Sequence, residues 1–321
     1  MFKFLKNKQF SVLALLLAST SLHATVFLLA NNPDDRLIKA KDMLSNSQTF
    51  ANEKEDLLDI ARRYDLGQNE IVRLNPNVDR WLPAVNSLIQ LQNTRLLPDT
   101  EQKGIILNLP EFRLYYYQSS NKNQPSTILT HPISVGRQDW DTPLGKTTIV
   151  AKKENSAWRP PASIKKEHAE KGDPLPDIVP AGPNNPLGLF AMRLGIPGYL
   201  IHSTNKPFGV GLRVSHGCIR MYPKDIEKLF PLIKVGTAVT IVNQPVKVGW
   251  FEGALYIEVH PPLEEHQYDD LLGISLDLIE QENNGELLVI NSSELKKAIT
   301  QKIGLPIKIY DKNINIKTEA I

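Results

Sequence analysis

The longest regular pattern in the chain lies between residues 103 and 243, where short apolar runs alternate with turn-forming residues. The runs are rich in Ile, Val, Leu and Tyr, which favours strands over helices. Pro and Gly fill the segments between them, most densely at residues 179–186. The predicted strands are residues 105–109, 114–117, 133–135, 147–150, 189–192 and 199–201. This pattern predicts a mainly β domain, a β-sandwich with one or two helices.

One helix is predicted in this domain, over residues 223–233. Pro223 suits the first turn of a helix, because the N–H that proline lacks would have no partner there. Ile226, Leu229 and Ile233 fall on one face at helical spacing. We therefore expect this helix to cover the sheet with its apolar side.

A smaller block precedes this domain, at residues 49–92. Apolar residues recur at helical spacing over residues 57–61, and Gly67 interrupts the pattern. A second short helical run ends at the Asn-Pro-Asn sequence of residues 75–77, and a strand-like run follows at residues 87–91. The block is predicted to be a small α+β unit.

The two ends of the remaining chain carry weaker patterns. Residues 25–48 form a short lead-in segment. Residues 244–321 contain a strand-like run at 254–259 and a helical run at 294–302 that Gly304 stops. We expect the latter block to form a small α/β subdomain, and we find no chemical motif in it.

Residues 1–24 have the pattern of a secretory signal peptide. Three lysines precede a short apolar run at residues 10–18, and small residues follow. The run is too short for a comfortable membrane span, and no cysteine follows it that could carry a lipid anchor. We expect cleavage after Ala24; the alternative is an uncleaved N-terminal anchor.

Charge argues against a nucleic-acid partner. The chain of 321 residues has a formal net charge of +2, but residues 1–24 contribute three lysines and no acid. The remaining chain has 34 basic and 35 acidic residues without a basic stripe. Hydrophobic residues make up 41% of the chain, which is enough for packed cores in about two domains.

Cys218 is the only cysteine, and it follows His216 and Gly217. An exported protein with one thiol cannot form an internal disulfide, so the thiol is unpaired, intermolecular or chemically active. A histidine next to a thiol can take its proton and generate the thiolate, which is the nucleophilic form. The sequence therefore indicates a cysteine nucleophile.

Two histidines are candidates for the base. His216 lies two residues before Cys218, so in extended backbone both side chains would project to one face. His202 follows the apolar run 199–201 and is expected at a strand end. Gly217 permits close approach of the backbone to a substrate, and the amides of Gly217 and Cys218 are candidates for an oxyanion hole.

Two other interpretations remain open. A single cysteine is often a small buried apolar residue. His202, His216 and Cys218 are also residue types that bind zinc, but their tight spacing and the lack of an acidic partner argue against a metal. We predict neither a metal nor another cofactor.

The segment Ile-His-Ser at residues 201–203, followed by Ser-His-Gly-Cys at residues 215–218, resembles the signature of YkuD-type L,D-transpeptidases. Further segments resemble the ErfK/YbiS/YcfS/YnhG branch of that family, at residues 141–145, 158–161, 180–188 and 209–213. Arg220 stands where many family members have Asn and where this branch usually has Arg. The resemblance covers nearly all of the chain after the signal.

The resemblance implies a role for each residue of the motif. Cys218 would be the acyl-accepting nucleophile, and His202 the general base, oriented by the backbone carbonyl of Ser203. Gly217 belongs to the oxyanion hole inferred above.

Three further residues would bind substrate: Ser215, His216 and Arg220. The guanidinium of Arg220 matches the geometry of a substrate carboxylate. The alternative is a salt bridge between Arg220 and an acid of the fold.

The implied reaction takes place on peptidoglycan in the periplasm of a Gram-negative bacterium. The thiol would attack the diaminopimelate carbonyl of a tetrapeptide stem and release D-Ala. An amine would then take the thioester, either the C-terminal lysine of an outer-membrane lipoprotein or diaminopimelate of a second stem. The alternatives are an L,D-carboxypeptidase that uses water as the acceptor and a catalytically idle peptidoglycan-binding protein.

The block at residues 49–92 resembles the LysM module, a βααβ unit that binds glycan strands. The matching segments are residues 57–64 and 71–76, while Glu55 and Asp56 replace the usual Gly-Asp before the first helix. The resemblance implies glycan binding, and the alternative is a scaffold that only packs on its neighbour.

Overall fold

The computed structural model describes residues 25–28, 32, 34–40, 47–118, 127–266 and 270–312. The predicted signal peptide, residues 1–24, lies outside the described residues. The strands are β1 (Thr25–Leu28), β2 (Leu37–Ala40), β3 (Gln48–Phe50), β4 (Leu88–Gln90), β5 (Thr94–Leu96), β6 (Gly104–Asn108), β7 (Arg113–Tyr117), β8 (Thr127–Gly136), β9 (Gly145–Glu154), β10 (Phe190–Leu194), β11 (Leu200–His202), β12 (Arg213–Ser215), β13 (Ile219–Met221), β14 (Ala238–Val242), β15 (Val246–Phe251), β16 (Ala254–Val259) and β17 (Ile307–Asp311). The helices are α1 (Leu57–Arg63), α2 (Gln68–Leu74), α3 (Ala162–Glu170), α4 (Pro223–Leu229), α5 (Leu271–Glu282) and α6 (Ser292–Gln301). The mainly β prediction is confirmed.

Strand β8 closes the central sheet into a ring. Its first half pairs with β7, and its second half pairs with β13 through Ile133 opposite Met221 and Ser134 opposite Arg220. The ring then runs through β11, β10, β9, β14 and β6 back to β7. Each strand of this ring, together with α4, contributes apolar side chains to one buried cluster. The predicted helix at 223–233 therefore packs on the sheet as expected, although it ends at Leu229.

The βααβ unit consists of β3, α1, α2 and β4, with β3 and β4 antiparallel. Asp56 caps α1 in a capping box with Asp59, since the Asp56 side chain accepts a hydrogen bond from the Asp59 amide at 2.7 Å. The Glu70 side chain accepts from the Gly67 amide at 2.6 Å and so caps α2. These caps explain why two seven-residue helices begin where they do.

The βααβ unit docks against the segment that joins β11 to β12. The Gln68 amide donates to the Val210 carbonyl at 3.1 Å. Gly211 has φ +89°, and a Cβ there would lie 2.4 Å from the Gln68 nitrogen. Because only glycine permits this approach, the unit lies directly on the chain between the two histidines of the motif.

Buried ion pairs join the unit and the C-terminal subdomain to the ring. Glu70 of α2 pairs with Arg95 at 2.6 Å and with Arg113 of β7 at 2.7 Å. Lys247 of β15 pairs with Glu111, which lies in the turn between β6 and β7, at 3.0 Å. All five side chains are almost fully buried, so breaking one pair would leave an uncompensated charge in the interior.

The C-terminal subdomain is an antiparallel sheet of β15, β16 and β17 covered by α5 and α6. The predicted strand at 254–259 coincides with β16, and the predicted helix at 294–302 corresponds to α6. Helix α5 and strands β15 and β17 were not predicted from the sequence. Within the described residues, no helix has the length and apolar character needed to cross a membrane.

Candidate active site

Residues 216–218 form a sharp bend between β12 and β13. Gly217 has φ +90°, and a Cβ at this position would lie 2.6 Å from Cε1 of Tyr199. The Ser215 hydroxyl donates to the Cys218 carbonyl at 2.5 Å, and the Thr142 hydroxyl donates to the Gly217 carbonyl at 2.8 Å. The expectation that extended backbone puts His216 and Cys218 on one face is therefore wrong, because the left-handed glycine turns the chain between them.

The Cys218 thiol lies partly exposed at the start of β13. Its sulfur is 3.6 Å from the Gly198 carbonyl. Burial raises the pKa of the thiol, while a hydrogen bond from the Leu200 backbone and the charge of Arg220 oppose that rise. The resting side chain is thus a protonated thiol, and it requires a base to become a nucleophile.

His202 is buried at the end of β11, with its Nδ1 2.5 Å from the carbonyl of Ser203. A carbonyl only accepts, so Nδ1 carries the proton and Nε2 keeps its lone pair. Burial and the nearby charge of Arg220 lower the pKa of His202 to about 3, although hydrogen bonds with the backbone of Ser203 and Leu187 oppose the shift. The ring is therefore a neutral base over the whole physiological range.

Strand pairing brings His202 and Arg220 together. Strands β11 and β13 are parallel, with His202 opposite Arg220 and Ile201 opposite Ile219. Residues that pair across two strands share one face of the sheet. Cys218 immediately precedes this paired segment, so the thiol, the base and the guanidinium occupy one end of the sheet.

Arg220 has no acidic partner in the part of the chain that the structure describes, since no carboxylate oxygen there lies within 4.0 Å of its guanidinium. Its Nε is buried and lacks a hydrogen-bond partner among the same residues. Burial lowers the pKa of Arg220, and Cys218 opposes the shift. The salt-bridge alternative is therefore wrong for these residues, and the geometry leaves the guanidinium available to an anion.

His216 contacts helix α3. Its Nε2 lies 2.9 Å from Oε2 of Glu167 and 3.3 Å from Nη1 of Arg137. The ring of Trp140 meets the imidazole edge-on at 4.9 Å between centroids. Burial lowers the pKa of His216, whereas the hydrogen bond to Glu167 raises it.

Glu167 was not predicted from the sequence, and the expectation that the histidines lack an acidic partner is wrong for His216. The carboxylate comes from α3, a helix that buries one residue, Ile164, so its sequence carries little periodic signal.

Two side-chain clusters of the described residues have the geometry to hold a metal ion, and neither contains His202, His216 or Cys218. Those clusters are Asp65 with His131 and Asp225, and Glu111 with Glu258 and His260.

The loop of residues 179–188 lies against His202 through the backbone of Leu187. Asn185, which is fully buried, donates to the carbonyls of Ser156 at 3.1 Å and Pro180 at 3.0 Å. Its side-chain oxygen accepts from the Leu187 amide at 2.9 Å, and the Leu187 backbone in turn contacts the ring of His202. A buried amide that satisfies its own loop explains why a segment so rich in Pro and Gly is ordered.

A small apolar cleft of about 290 Å³ borders this loop and Ser203. A larger and more polar cavity of about 730 Å³ lies elsewhere, between the lead-in segment and the C-terminal subdomain beside Trp250. Ser203, whose carbonyl orients His202, lines the smaller cleft, whereas Cys218, His202 and Arg220 do not line it.

Comparison with known proteins gives a consistent answer. Residues 102–241 match the family described as the L,D-transpeptidase catalytic domain, YkuD. The chain is 39% identical over 255 residues to the probable L,D-transpeptidase YbiS of Escherichia coli strain K12, covering 78% of this chain and 81% of the relative. It is 36% identical over 266 residues to the probable L,D-transpeptidase YcfS of the same strain, covering 81% and 82%.

Solved structures are more distant. The catalytic domain of the E. faecium L,D-transpeptidase acylated by ertapenem, an NMR structure, is 23% identical; the match covers 44% of this chain and 98% of that one, with a TM-score of 0.32. The assignment rests instead on the curated relatives, which match most of their own length and most of this sequence. The chain belongs to the L,D-transpeptidase family.

Proposed function

We propose that this enzyme works in the periplasm on peptidoglycan tetrapeptide stems, with Cys218 as its nucleophile and His202 as its general base. The register between β11 and β13 carries the proposal. It brings a buried, neutral histidine, whose Nδ1 faces the Ser203 carbonyl and whose Nε2 keeps a lone pair, to the strand that directly follows a protonated thiol. A thiol and a base so arranged suit acyl transfer.

In the first half-reaction, Nε2 of His202 takes the thiol proton as sulfur attacks the diaminopimelate carbonyl. The amides of Gly217 and Cys218 stabilise the negative charge on the tetrahedral oxygen. When the C–N bond breaks, the imidazolium returns its proton to the leaving nitrogen, and D-Ala departs as a free amino acid. A thioester on Cys218 remains.

In the second half-reaction, an amine attacks the thioester and restores the thiol. Neutral His202 takes a proton from the attacking nitrogen and gives it to the departing sulfur. The acceptor is a lipoprotein C-terminal lysine or diaminopimelate of another stem, and water in this position makes the enzyme an L,D-carboxypeptidase. No metal or cofactor enters either step.

Arg220 holds a carboxylate of the stem in this scheme. Support comes from the half-buried guanidinium, which has no carboxylate partner among the described residues. A planar guanidinium binds a carboxylate through two parallel hydrogen bonds. Ser215 maintains the bend by its bond to the Cys218 carbonyl, and His216 forms the opposite side of the entrance.

The βααβ unit contacts glycan in this proposal, as its resemblance to LysM implies. Apolar side chains are exposed on one side of it, with Phe50 opposite Leu88 across the strand pair and Trp81 and Leu82 in the adjoining loop. Exposed aromatic rings provide surfaces on which sugar rings can pack. Residues 1–24 direct export, and cleavage after Ala24 releases the enzyme.

The test is mass spectrometry of products and of the intact protein. The chain from Thr25 is incubated with disaccharide-tetrapeptide, with and without a peptide ending in the lipoprotein lysine. A stem dimer or a peptide conjugate with loss of D-Ala supports the proposal and names the acceptor. Tripeptide alone, in the presence of both acceptors, favours the carboxypeptidase.

Cys218→Ala is the control, and it must abolish every product while leaving the fold intact. Products that persist in this variant contradict the proposed nucleophile. If the wild-type protein leaves tetrapeptide unchanged and ertapenem does not acylate Cys218, the idle peptidoglycan-binding protein is the better description.

A further inference from the structure

Helix α3 reaches the site through a single acidic side chain. Ile164 is the residue that α3 buries. One turn further along, Oε2 of Glu167 lies 2.9 Å from Nε2 of His216 and 2.5 Å from Nη2 of Arg137. Oε1 of Glu167 lies 2.5 Å from Nζ of Lys171. Both oxygens of this carboxylate are therefore engaged, and one of them touches the residue that precedes the Gly217 bend.

Glu167 stays ionised across the physiological range. Hydrogen bonds from Lys171, then from Arg137 and His216, lower its pKa to about 2. Among the described residues, Glu167 is the one acid that pairs with Arg137. Without the carboxylate, the half-buried guanidinium of Arg137 would have His216 as its neighbour and no counterion.

The two contacts at Nε2 of His216 require opposite protonation states. A carboxylate only accepts, so Glu167 requires a proton on Nε2; a guanidinium only donates, so Arg137 requires a lone pair there. The carboxylate is nearer, at 2.9 Å against 3.3 Å. Glu167 thus selects the Nε2–H tautomer and leaves the lone pair of His216 on Nδ1.

We propose that Glu167 is a positioning residue of the transpeptidase, which from α3 fixes the tautomer and the orientation of His216 beside the Cys218 bend. The inference rests on the proposed function and adds a residue to it. Glu167 acts through His216 and does not touch the thiol. Its loss misplaces the entrance of the site while sulfur and His202 remain in place.

The test compares Glu167→Ala and Glu167→Gln with wild type. Gln keeps an oxygen that accepts from Nε2 but loses the charge that pairs with Arg137, so it retains the tautomer. Glu170→Gln is the matched control, because Glu170 is exposed on the same helix and, within the described part of the chain, pairs only with Lys166, at 3.9 Å. The measurements are the acylation rate of Cys218 by ertapenem, its alkylation by iodoacetamide, the melting temperature, and the ¹⁵N shifts of His216.

We expect Glu167→Ala to slow acylation about tenfold, the scale of one lost charged hydrogen bond, with Glu167→Gln intermediate and Glu170→Gln unchanged. Alkylation should be unaffected, because iodoacetamide needs the thiol but not the entrance. The ¹⁵N shifts should report movement of the proton from Nε2 to Nδ1 in Glu167→Ala alone.

Unchanged acylation and unchanged shifts in Glu167→Ala would overturn the inference. So would equal losses in acylation, alkylation and melting temperature in both variants, which would indicate a structural role. A wild-type enzyme that ertapenem does not acylate refutes the proposed function instead, and the His216 shifts then still decide what Glu167 does.

Discussion

The sheet side and the helix side of the site each hold a histidine, but by different forces. On the sheet side, His202 and Arg220 are placed by strand register, and a backbone carbonyl orients the imidazole. On the helix side, His216 is placed by Glu167 and Arg137, whose side chains are 17% and 30% exposed. Backbone hydrogen bonds fix the first histidine, and partly exposed ion pairs fix the second.

This difference predicts separate roles for the two sides, the sheet side in the chemical step and the helix side in substrate entry. The sheet side is held by the strand pairings of the ring, so we expect the proposed base His202 and the Cys218 thiol to keep their geometry. The helix side depends on interactions that salt screens and that are worth little when exposed. We therefore expect substitutions on the sheet side to affect the chemical step and those on the helix side to affect how substrate enters.

The largest effect is expected from His202→Ala on the sheet side. Loss of the general base should reduce the acylation rate of Cys218 by about 10²- to 10⁴-fold, measured by mass spectrometry with ertapenem. His216→Ala is the matched change on the helix side and should cost about tenfold. Equal losses in the two variants would break the comparison.

Gly217→Ala tests the bend that joins the two sides. A Cβ would lie 2.6 Å from Cε1 of Tyr199 on a backbone at φ +90°, so the bend must shift. A displacement near 1 Å costs about 10²-fold in rate. Gly236→Ala is the control, since its φ is +91° but a Cβ there meets no atom within 4 Å. A loss of rate in the control as large as in Gly217→Ala would assign the effect to backbone strain alone.

Arg220→Gln should weaken substrate binding on the sheet side. Removing one charged partner of a carboxylate is expected to raise KM for tetrapeptide about 10- to 100-fold and to change kcat less. Steady-state kinetics with disaccharide-tetrapeptide measures both. A fall in kcat with unchanged KM would place Arg220 in the chemical step instead.

The pH dependence of the acylation rate should differ between the wild-type enzyme and His202→Ala. His202 has a pKa lowered to about 3, so it remains a neutral base above that pH, and the wild-type acylation rate should vary only a few-fold between about pH 5 and 8. In His202→Ala the rate depends on the thiolate, whose pKa is raised, so it should climb about tenfold per pH unit. Parallel profiles would exclude His202 as the base.

Salt should produce the smallest effect, on the helix side. Raising the ionic strength from about 0.05 to 0.5 M shortens the screening length and should slow wild-type acylation about two- to threefold. Glu167→Gln lacks the screened pairs and should show less dependence. The difference between the two salt dependences measures the contribution of the Glu167 ion pairs, because any salt effect on Arg220 is the same in both proteins.

Local pattern predicted much of the fold. The runs at 105–109, 114–117 and 254–259 became β6, β7 and β16 with bounds shifted by at most one residue at either end, because alternating apolar side chains and turn residues act over a few positions. Helix α5 was missed although Asp270 caps it, since Gly273 interrupts its apolar pattern. Closure of the ring could not be predicted, because it depends on pairing Ile133 with Met221.

The candidate site divides in the same way. The contact of His202 with the Ser203 carbonyl lies within one residue, and the motif indicated it. The contact of His216 with Glu167 spans 49 residues and depends on where a weakly patterned helix packs. Gly217 itself was the signal for the bend, because a glycine in a motif indicates a backbone that other residues avoid.

Ring closure also decides when the active site comes into existence. Strand β13, which begins just after Cys218, is held between β11 and the far half of β8, and β8 is distant in sequence from the other two strands. Pairings between distant segments form late, because the chain must first give up the entropy of the loops between them. A chain still in the course of folding therefore lacks the β8 pairing that holds Cys218 and its proposed base His202 in place, and the site is complete only when the last pairing of the ring is made.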